Sequence, residues 1–300
     1  MTRFDFLGKA KYCVPISIIL VVASAILLIP QVRGLKLGLD FTPGTEFVVQ
    51  FAQPVDTATV RSALAGISAG TTSLSESAIQ STGGGRTSVI TTQLDVEANK
   101  DTIDRIEATL RQKLPVEDIS RRSVGQKVTG EVIGRAWQAV LLAILGILIY
   151  ITWRFRSGFA VGAVVAVVHD VTITLGVVAL FHLEFNMETI AGLLTVLGYS
   201  CNDTVIIFDR VRENLAIDKK ASMYDIINRS INQSLTRTVT TAVIALAPII
   251  LLLIFGGPVL RGLSVAFLMS VTVGTWSTFY VANPILYWWT RRAEGAKKAR

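Results

Sequence analysis

Cysteine is scarce in this chain. Only Cys13 and Cys201 occur, both inside apolar stretches, so no disulfide framework and no cysteine-based metal cluster is available. Charge is scarce as well: 17% of the 300 residues are charged, 51% are hydrophobic, and the mean hydropathy is +0.53. That shortage excludes an ordinary soluble protein and implies several bilayer spans. The net charge of +7 then need not mean nucleic acid, and none is expected as a partner; membrane lipid is, and the placement of the basic residues carries the meaning. A clear small-residue cleavage site is also missing. The first apolar run, 12–29, ends Leu-Leu-Ile-Pro and reads as an uncleaved anchor.

Six apolar runs suit a window of about 19 residues. They are 12–29, 137–153, 158–181, 189–208, 239–255 and 263–289, the last long enough to tilt. Tyr12, Trp137, Tyr150, Trp153, Tyr287, Trp288 and Trp289 lie near their ends, as an aromatic belt would. A polar region separates the first two runs. The division is therefore 1–30 with the first span, 31–131 as an extramembranous domain, 132–290 as the remaining five spans, and 291–300 as a basic tail.

Six spans place both termini on one side. Lys9 and Lys11, Arg154, Arg210 and Arg212, Lys219 and Lys220, and Arg291 and Arg292 all fall on that side. The opposite short loops hold Glu184, Glu188 and a single Arg261. This asymmetry makes the termini cytoplasmic and puts 31–131 outside.

The outer region is long enough for one small domain. Residues 45–51 (TEFVVQF), 73–81, 87–92 and 117–124 read as strands. Asp56 suits a helix N-cap, for a helix through Leu64. Ile103, Ile106, Leu110 and Leu114 share one face of a helix over 99–114. The order βαββαβ is the ferredoxin-like pattern. It holds no nucleophile–base–acid constellation, phosphate loop or metal spacing, and reads as a binding or spacer domain.

Asp203 stands out from the apolar spans. An ionisable group in hydrocarbon costs roughly 2.5 to 3.5 kcal/mol on insertion scales, which makes function the default hypothesis. The competing reading is a polar group sealed in the bundle for packing specificity. Thr195, Tyr199, Asn202 and Asp203 follow steps of four and three, which predicts one shared helical face. Gly192 and Gly198 predict close helix approach. Asp203 lies six residues before Asp209 (209 − 203 = 6), or roughly 9 Å along the helix. The next span opens with Arg237, which suits a similar depth and could hold the carboxylate ionised; alternatively Arg237 snorkels to the interface. Thr240 and Thr241 follow, either lining a wet path or bonding helix carbonyls. His169 and Asp170, mid-span, extend a proton relay or pair with neighbours. Pro248 predicts a kink, and Gly158 with Gly162 a close crossing.

Residues 198–214 (GYSCNDTVIIFDRVREN) strongly resemble the fourth transmembrane helix of the SecF branch of the SecD/SecF family, within the RND superfamily. Residues 38–45 (GLDFTPGT) resemble that family's G-[IL]-D-F-T-G-G-T turn, matching at Asp40, Phe41, Thr42 and Gly44 and differing at Pro43. Residues 235–238 (LTRT) and 255–261 (FGGPVLR) are similar to later family segments, while 124–132 (VGQKVTGEV) lacks the usual proline and one glycine. The resemblance spans essentially the whole chain. It implies a six-helix RND-type bundle in the bacterial inner membrane, with a small α+β ferredoxin-like periplasmic domain. It implies SecD as partner, SecYEG and the emerging preprotein as working contacts, and YajC and YidC as further candidates. It also implies protons as the coupling ion with no bound cofactor or metal, no covalent catalysis, and Asp203 with Arg237 as the proton-responsive pair.

Two rivals make different demands. An RND-type small-molecule exporter half calls for larger paired porter domains than the outer segment provides. An intramembrane aspartyl protease would use Asp170 and Asp203, but these follow His169 and Asn202 rather than the Tyr-Asp and Gly-x-Gly-Asp patterns of such enzymes. A passive assembly scaffold would not respond to uncouplers. The topology has a direct check. In intact spheroplasts, cysteine introduced at Ser81 should react with a membrane-impermeant thiol reagent and cysteine at Ala296 should not; the reverse pattern refutes the orientation.

Overall fold

The computed structural model describes residues 4–69, 72–73, 78–92, 94, 96–124, 126–155, 157–257 and 260–298. The chain opens with α1, Phe6–Leu27, whose N-cap Asp5 accepts from Gly8 N at 2.9 Å. A two-residue strand β1, Lys36–Leu37, leads into a turn and then β2, Gly44–Phe51. The domain continues with α2 (Thr57–Leu64), a small hairpin β3 (Ser68–Ala69) and β4 (Thr72–Ser73), β5 (Ala78–Thr82), β6 (Thr87–Thr92), α3 (Val96–Lys113) and β7 (Val116–Val124). Membrane helices follow: α4 (Gln126–Arg154), α5 (Ser157–Leu180), then strand β8 (Glu184–Phe185), α6 (Met187–Ile217), α7 (Met223–Phe255), α8 (Arg261–Ser277) and α9 (Asn283–Lys298). Among the described residues, six helices or helix pairs are long and apolar enough to cross a membrane.

The main sheet has the order β5-β6-β2-β7, antiparallel throughout. That is the ferredoxin-like arrangement, its first and third strands central. Alternation along β2 sends Phe47, Val49 and Phe51 to one face, where they meet Val60 and Leu64 of α2 and Ile103, Ile106 and Leu110 of α3. The expected helical face over 99–114 is thus the buried one. The strand expected over 73–81 is different. Only 78 onward joins the sheet, 72–73 belong to the separate hairpin, and 74–77 lie outside the described residues. The β5–β6 turn uses Gly83, Gly84 and Gly85, all at positive φ (63°, 66° and 91°), a run that side-chain-bearing residues would strain.

Helix boundaries also depart from the hydropathy windows. α4 begins at Gln126, α6 runs on to Ile217, and α7 starts at Met223 rather than at 239, because amphipathic helix continues past the hydrocarbon. The start of α7 is fixed by a reciprocal cap. Asp225 N donates to Ser222 Oγ at 3.1 Å, and Ser222 Oγ donates to the Asp225 carboxylate at 2.6 Å. Its first turns bury Ile226, Ile227 and Ile231. Asn228 Oδ1 accepts from Phe6 N and Leu7 N at 3.0 and 3.1 Å, so α7 caps the beginning of α1.

The last span is not one continuous α-helix. A π-helical turn, Thr278–Ala282, joins α8 to α9. Pro284 has no N–H and would clash with the carbonyl four residues back. The widened turn absorbs this, and Asn283 Nδ2 donates to Thr278 O at 2.6 Å. Such turns are frequent at functional sites.

α5, α6 and the α8–α9 rod form the interior, whereas α1, α4 and α7 are largely exposed. Glycine sets the close crossings. A Cβ on Gly162 of α5 would lie 2.7 Å from Ala282 O and 3.4 Å from Phe208. A Cβ on Gly192 of α6 would lie 3.1 Å from Ala266 on α8. Gly198, also expected at a crossing, is exposed and has nothing within 4 Å of a built Cβ. Gly162→Val should therefore destabilise the detergent-solubilised protein by about 1–3 kcal/mol through overpacking. Gly198→Ala should be neutral or mildly stabilising. Thermal unfolding of the two variants side by side checks this, and equal effects would contradict the packing.

Candidate functional site

The polar residues singled out in the sequence lie at three levels along α6. At its domain-side end, the Gly38–Phe41 turn closes with Phe41 N donating to Gly38 O at 3.0 Å, and Thr42 Oγ1 donates to the same carbonyl at 3.0 Å. The turn presents Asp40, only 6% exposed. One carboxylate oxygen accepts from Arg122 Nη2 on β7 at 2.6 Å, and the other from Met187 N, the first residue of α6, at 2.9 Å. An anion there also complements the positive end of the α6 dipole. Phe41 is buried and stacks on Phe185 with centroids 5.6 Å apart, and Gly44 opens β2 opposite Val124. Glu184 accepts from Lys36 Nζ at 2.8 Å and Gln80 Nε2 at 3.1 Å. β1 and β8 pair in parallel beside them. The domain and the bundle are thus joined by ion pairs and backbone bonds converging on α6.

Glu46 on β2 faces this junction without a hydrogen-bond partner among the described residues. Burial pushes its carboxyl above the usual range; the charges of Glu184, Asp40 and Glu188 add to the rise, and Arg122 opposes it.

At the middle level, Asp170 of α5 is fully buried. Its Oδ1 lies 2.8 Å from His169 Nδ1, and its Oδ2 accepts from Ser200 Oγ of α6 at 2.5 Å and Ser277 Oγ of α8 at 2.8 Å. Donors from all three interior helices therefore meet on one carboxylate. Thr204 and Thr278 hydroxyls pair at 3.1 Å beside it. His169 Nε2, also buried, has no partner among the described residues. His169 and Asp170 thus contact each other, and Asp170 also contacts Ser200 and Ser277.

Deeper still is Asp203, 16 residues from Met187 (203 − 187 = 16), or roughly 24 Å along the helix. It is 1% exposed, and its Oδ2 has no hydrogen-bond partner among the described residues. Arg237 of α7 lies within electrostatic range of it, yet the two form no ion pair, and the Arg237 side chain is exposed. The expected single polar face of α6 is also split. Asp203 points inward while Thr195 and Asn202 are exposed, because one turn of 3.6 residues rotates neighbours onto different sides. Tyr199 is half-buried with an unpartnered hydroxyl. Thr241 Oγ1 donates to the carbonyls of Arg237 and Thr238 at 3.0 Å each, so it serves its own helix; Thr240 is exposed. Among the described residues no group of three or more His, Cys, Asp or Glu is placed to hold a metal ion.

Sequence reasoning passed over Ser200, Ser277, Arg122 and Glu184. Ser200 sits three residues before Asp203 and could have been flagged as a further polar group in the span. Nothing in the sequence marks Ser277 or Arg122, whose partners lie over 80 positions away.

The family model described as the C-terminal region of the protein-export membrane proteins SecD/SecF matches residues 105–292, and the SecD/SecF GG-motif model matches 32–55. The protein translocase subunit SecF of Cereibacter sphaeroides is 40% identical over 295 residues, covering 95% of this chain and 90% of that one. That of Desulfurispirillum indicum is 38% identical, covering 96% and 92%. Among solved structures, the crystal structure of SecDF, a translocon-associated membrane protein from Thermus thermophilus, superposes with a TM-score of 0.83 at 33% identity. It covers 96% of this chain, which in turn spans 39% of that longer chain. SecDF in a super-membrane-facing form matches with a TM-score of 0.71 at 30% identity.

The junction carries a pH signature. Because Glu46 binds its proton more tightly when folded, its contribution is present below the unfolded glutamate value of about 4.3 and is lost as pH rises through the higher folded value. At neutral pH its ionised form is a net cost. Glu46→Gln should raise the thermal midpoint of the detergent-solubilised chain at neutral pH and change it little near pH 3. An equal shift at both pH values would refute the assignment.

Proposed function

The chain belongs to the SecD/SecF family of protein-export membrane proteins, and from that premise we propose that it serves as an accessory subunit of the Sec protein translocase. It works without covalent chemistry, beside a SecD partner, in the bacterial inner membrane. Both termini are cytoplasmic and the ferredoxin-like domain is periplasmic. It promotes passage of preprotein through SecYEG and its release outside, driven by the proton-motive force; YajC and YidC are further candidate contacts.

The observation that carries this reading is the course of α6. One rigid helix holds a buried, unpartnered carboxylate deep in the span, Asp203, and at its outer end the Asp40–Arg122 clasp to the domain. A proton arriving from outside neutralises Asp203 and weakens its attraction to Arg237. Packing of α6 against α7 and α8 then shifts, and the helix N-terminus passes the movement through Asp40 to β7. Each charge moved across the field supplies about 2.3 kcal/mol per 100 mV, enough to bias a two-state packing. Thr195, Asn202, Arg237 and Thr240 are exposed within the spans, where lipid would leave polar groups unsatisfied. A second bundle covering them fits the SecD partnership, and the related SecDF chains carry a longer sequence than this one.

The rivals fare worse on the same geometry. Asp170 and Asp203 share no hydrogen bond, and Asp170 already engages two serines and a histidine, unlike a dyad awaiting water. The small outer domain does not supply paired porter domains.

The test uses vesicles holding this chain, SecD and the channel, with and without an imposed proton gradient. Asp203→Asn keeps the shape of the neutral acid but cannot titrate, and should abolish gradient-driven stimulation of late translocation while assembly persists. Arg237→Lys keeps charge but loses the planar donor fork, and should retain partial activity or none. Asp203→Glu should keep more activity than Asp203→Asn. Full gradient dependence in Asp203→Asn would refute the proton-switch reading.

A further inference from the structure

The two edges of the outer sheet are built differently. The order β5-β6-β2-β7 leaves β7 and β5 each with an outer side. β7 places Glu117, Asp118, Arg121 and Arg122 within nine residues, the charged protection that discourages edge pairing. β5, with the sequence AIQST, carries neither charge nor proline. Among the described residues no strand pairs with its outer side, and its only ladder is the one with β6. The N–H and C=O groups on that side form a ready template for another strand.

The unguarded edge borders a crevice. Gln80 and Ser81 of β5 line a cavity of about 590 Å3 between the domain and the outer ends of the bundle. Phe181, Leu253 and Ile254 contribute apolar lining, and Arg261 a positive charge. The volume lies within the range of about 300–1,000 Å3 typical of ligand sites. A strand beside β5 would turn alternate side chains toward a mixed lining, in which Phe181, Leu253 and Ile254 stand beside His182, Glu184 and Arg261. The flanking Gly83 and Gly84 have, among the described residues, nothing within 4 Å of an added Cβ, so the turn at the end of this edge is open.

We propose that the outer edge of β5, with this crevice, is where an extended, unfolded polypeptide docks as an added strand. Main-chain hydrogen bonding supplies the contact while the crevice takes alternate side chains. Recognition through backbone groups accepts any sequence that is unfolded and uncoiled. The charged β7 edge is closed to the same partner. The inference rests on the translocase reading only for the source of the segment, a preprotein leaving the channel.

The test places a photo-cross-linking residue at Ser81, and in a control at Asp118 on the guarded edge. Full-length protein with SecD and the channel is reconstituted in vesicles, and a preprotein is stalled midway. Cross-linking to the preprotein should be at least several-fold stronger from Ser81 than from Asp118. Neighbouring strand residues direct their N–H groups to opposite sides, so of Ile79→Pro and Gln80→Pro one leaves the β6 ladder whole; that variant should lose most of the Ser81 cross-link. Equal or absent labelling from Ser81, or labelling of lipid or SecD in place of preprotein, overturns the proposal. Export stimulation is read in the same vesicles. Its absence counts against the translocase reading, while the Ser81 adduct still decides the docking edge.

Discussion

Hydrocarbon offers no hydrogen bonds, and the interior of this bundle is organised around that fact. Asp170 can be buried because α5, α6 and α8 bring donors to it from His169, Ser200 and Ser277. The same requirement sends Ser264, Thr272 and Thr275 back to the carbonyls four residues earlier in their own helix. Small residues make the convergence possible. Ser200 meets α8 at Gly274, where even a Cβ would come within 3.1 Å. Replacing one helix would strand the polar groups of the other two, so the three interior helices form a single unit.

Asp203 lies outside that network. Its buried oxygen has no donor among the described residues, and Arg237, which acts on it electrostatically, stands on a largely exposed helix without forming an ion pair with it. Other buried atoms of the bundle also lack a partner among the described residues, His169 Nε2, Thr174 Oγ1, Thr238 Oγ1 and Asn283 Oδ1, but Asp203 is the carboxylate in that set. The π-helical turn at Thr278–Ala282 follows directly on Ser277 of the Asp170 network.

α6 runs from the level of Asp203 to the junction with the domain. Its N-terminus is held by Asn186, whose side chain accepts from Thr189 N at 2.9 Å, and by Asp40. Asp40 simultaneously holds β7 through Arg122. Burial, and after it the charges of Glu184, Asp40 and Glu188, make an ionised Glu46 a cost to this junction. The opposite end of α6 is tied to α7, with Asn214 Nδ2 donating to Ser230 and Gln233 at 2.8 Å each, and α7 in turn caps α1 through Asn228.

Much of this was legible in the chain itself. Hydropathy alone marks six spans, basic residues imply an orientation, and the alternating and 3.6-residue patterns outline a βαββαβ domain whose helix face Ile103–Ile106–Leu110 is the buried one. These are local properties, and local properties are what a linear sequence carries. Helix ends were read short at α4 and α7 because amphipathic turns outside the bilayer leave no hydropathy signal. The prominence of Asp203 was also local, a charge out of place. Its company was not. Whether Asp203 meets Arg237, which serines reach Asp170, and that a turn residue, Asp40, clasps both β7 and α6 depend on partners up to 147 positions apart. No periodicity encodes such distances. Only the packing of the helices decides them, because hydrogen-bond geometry is set by backbones brought into contact and not by spacing along the chain.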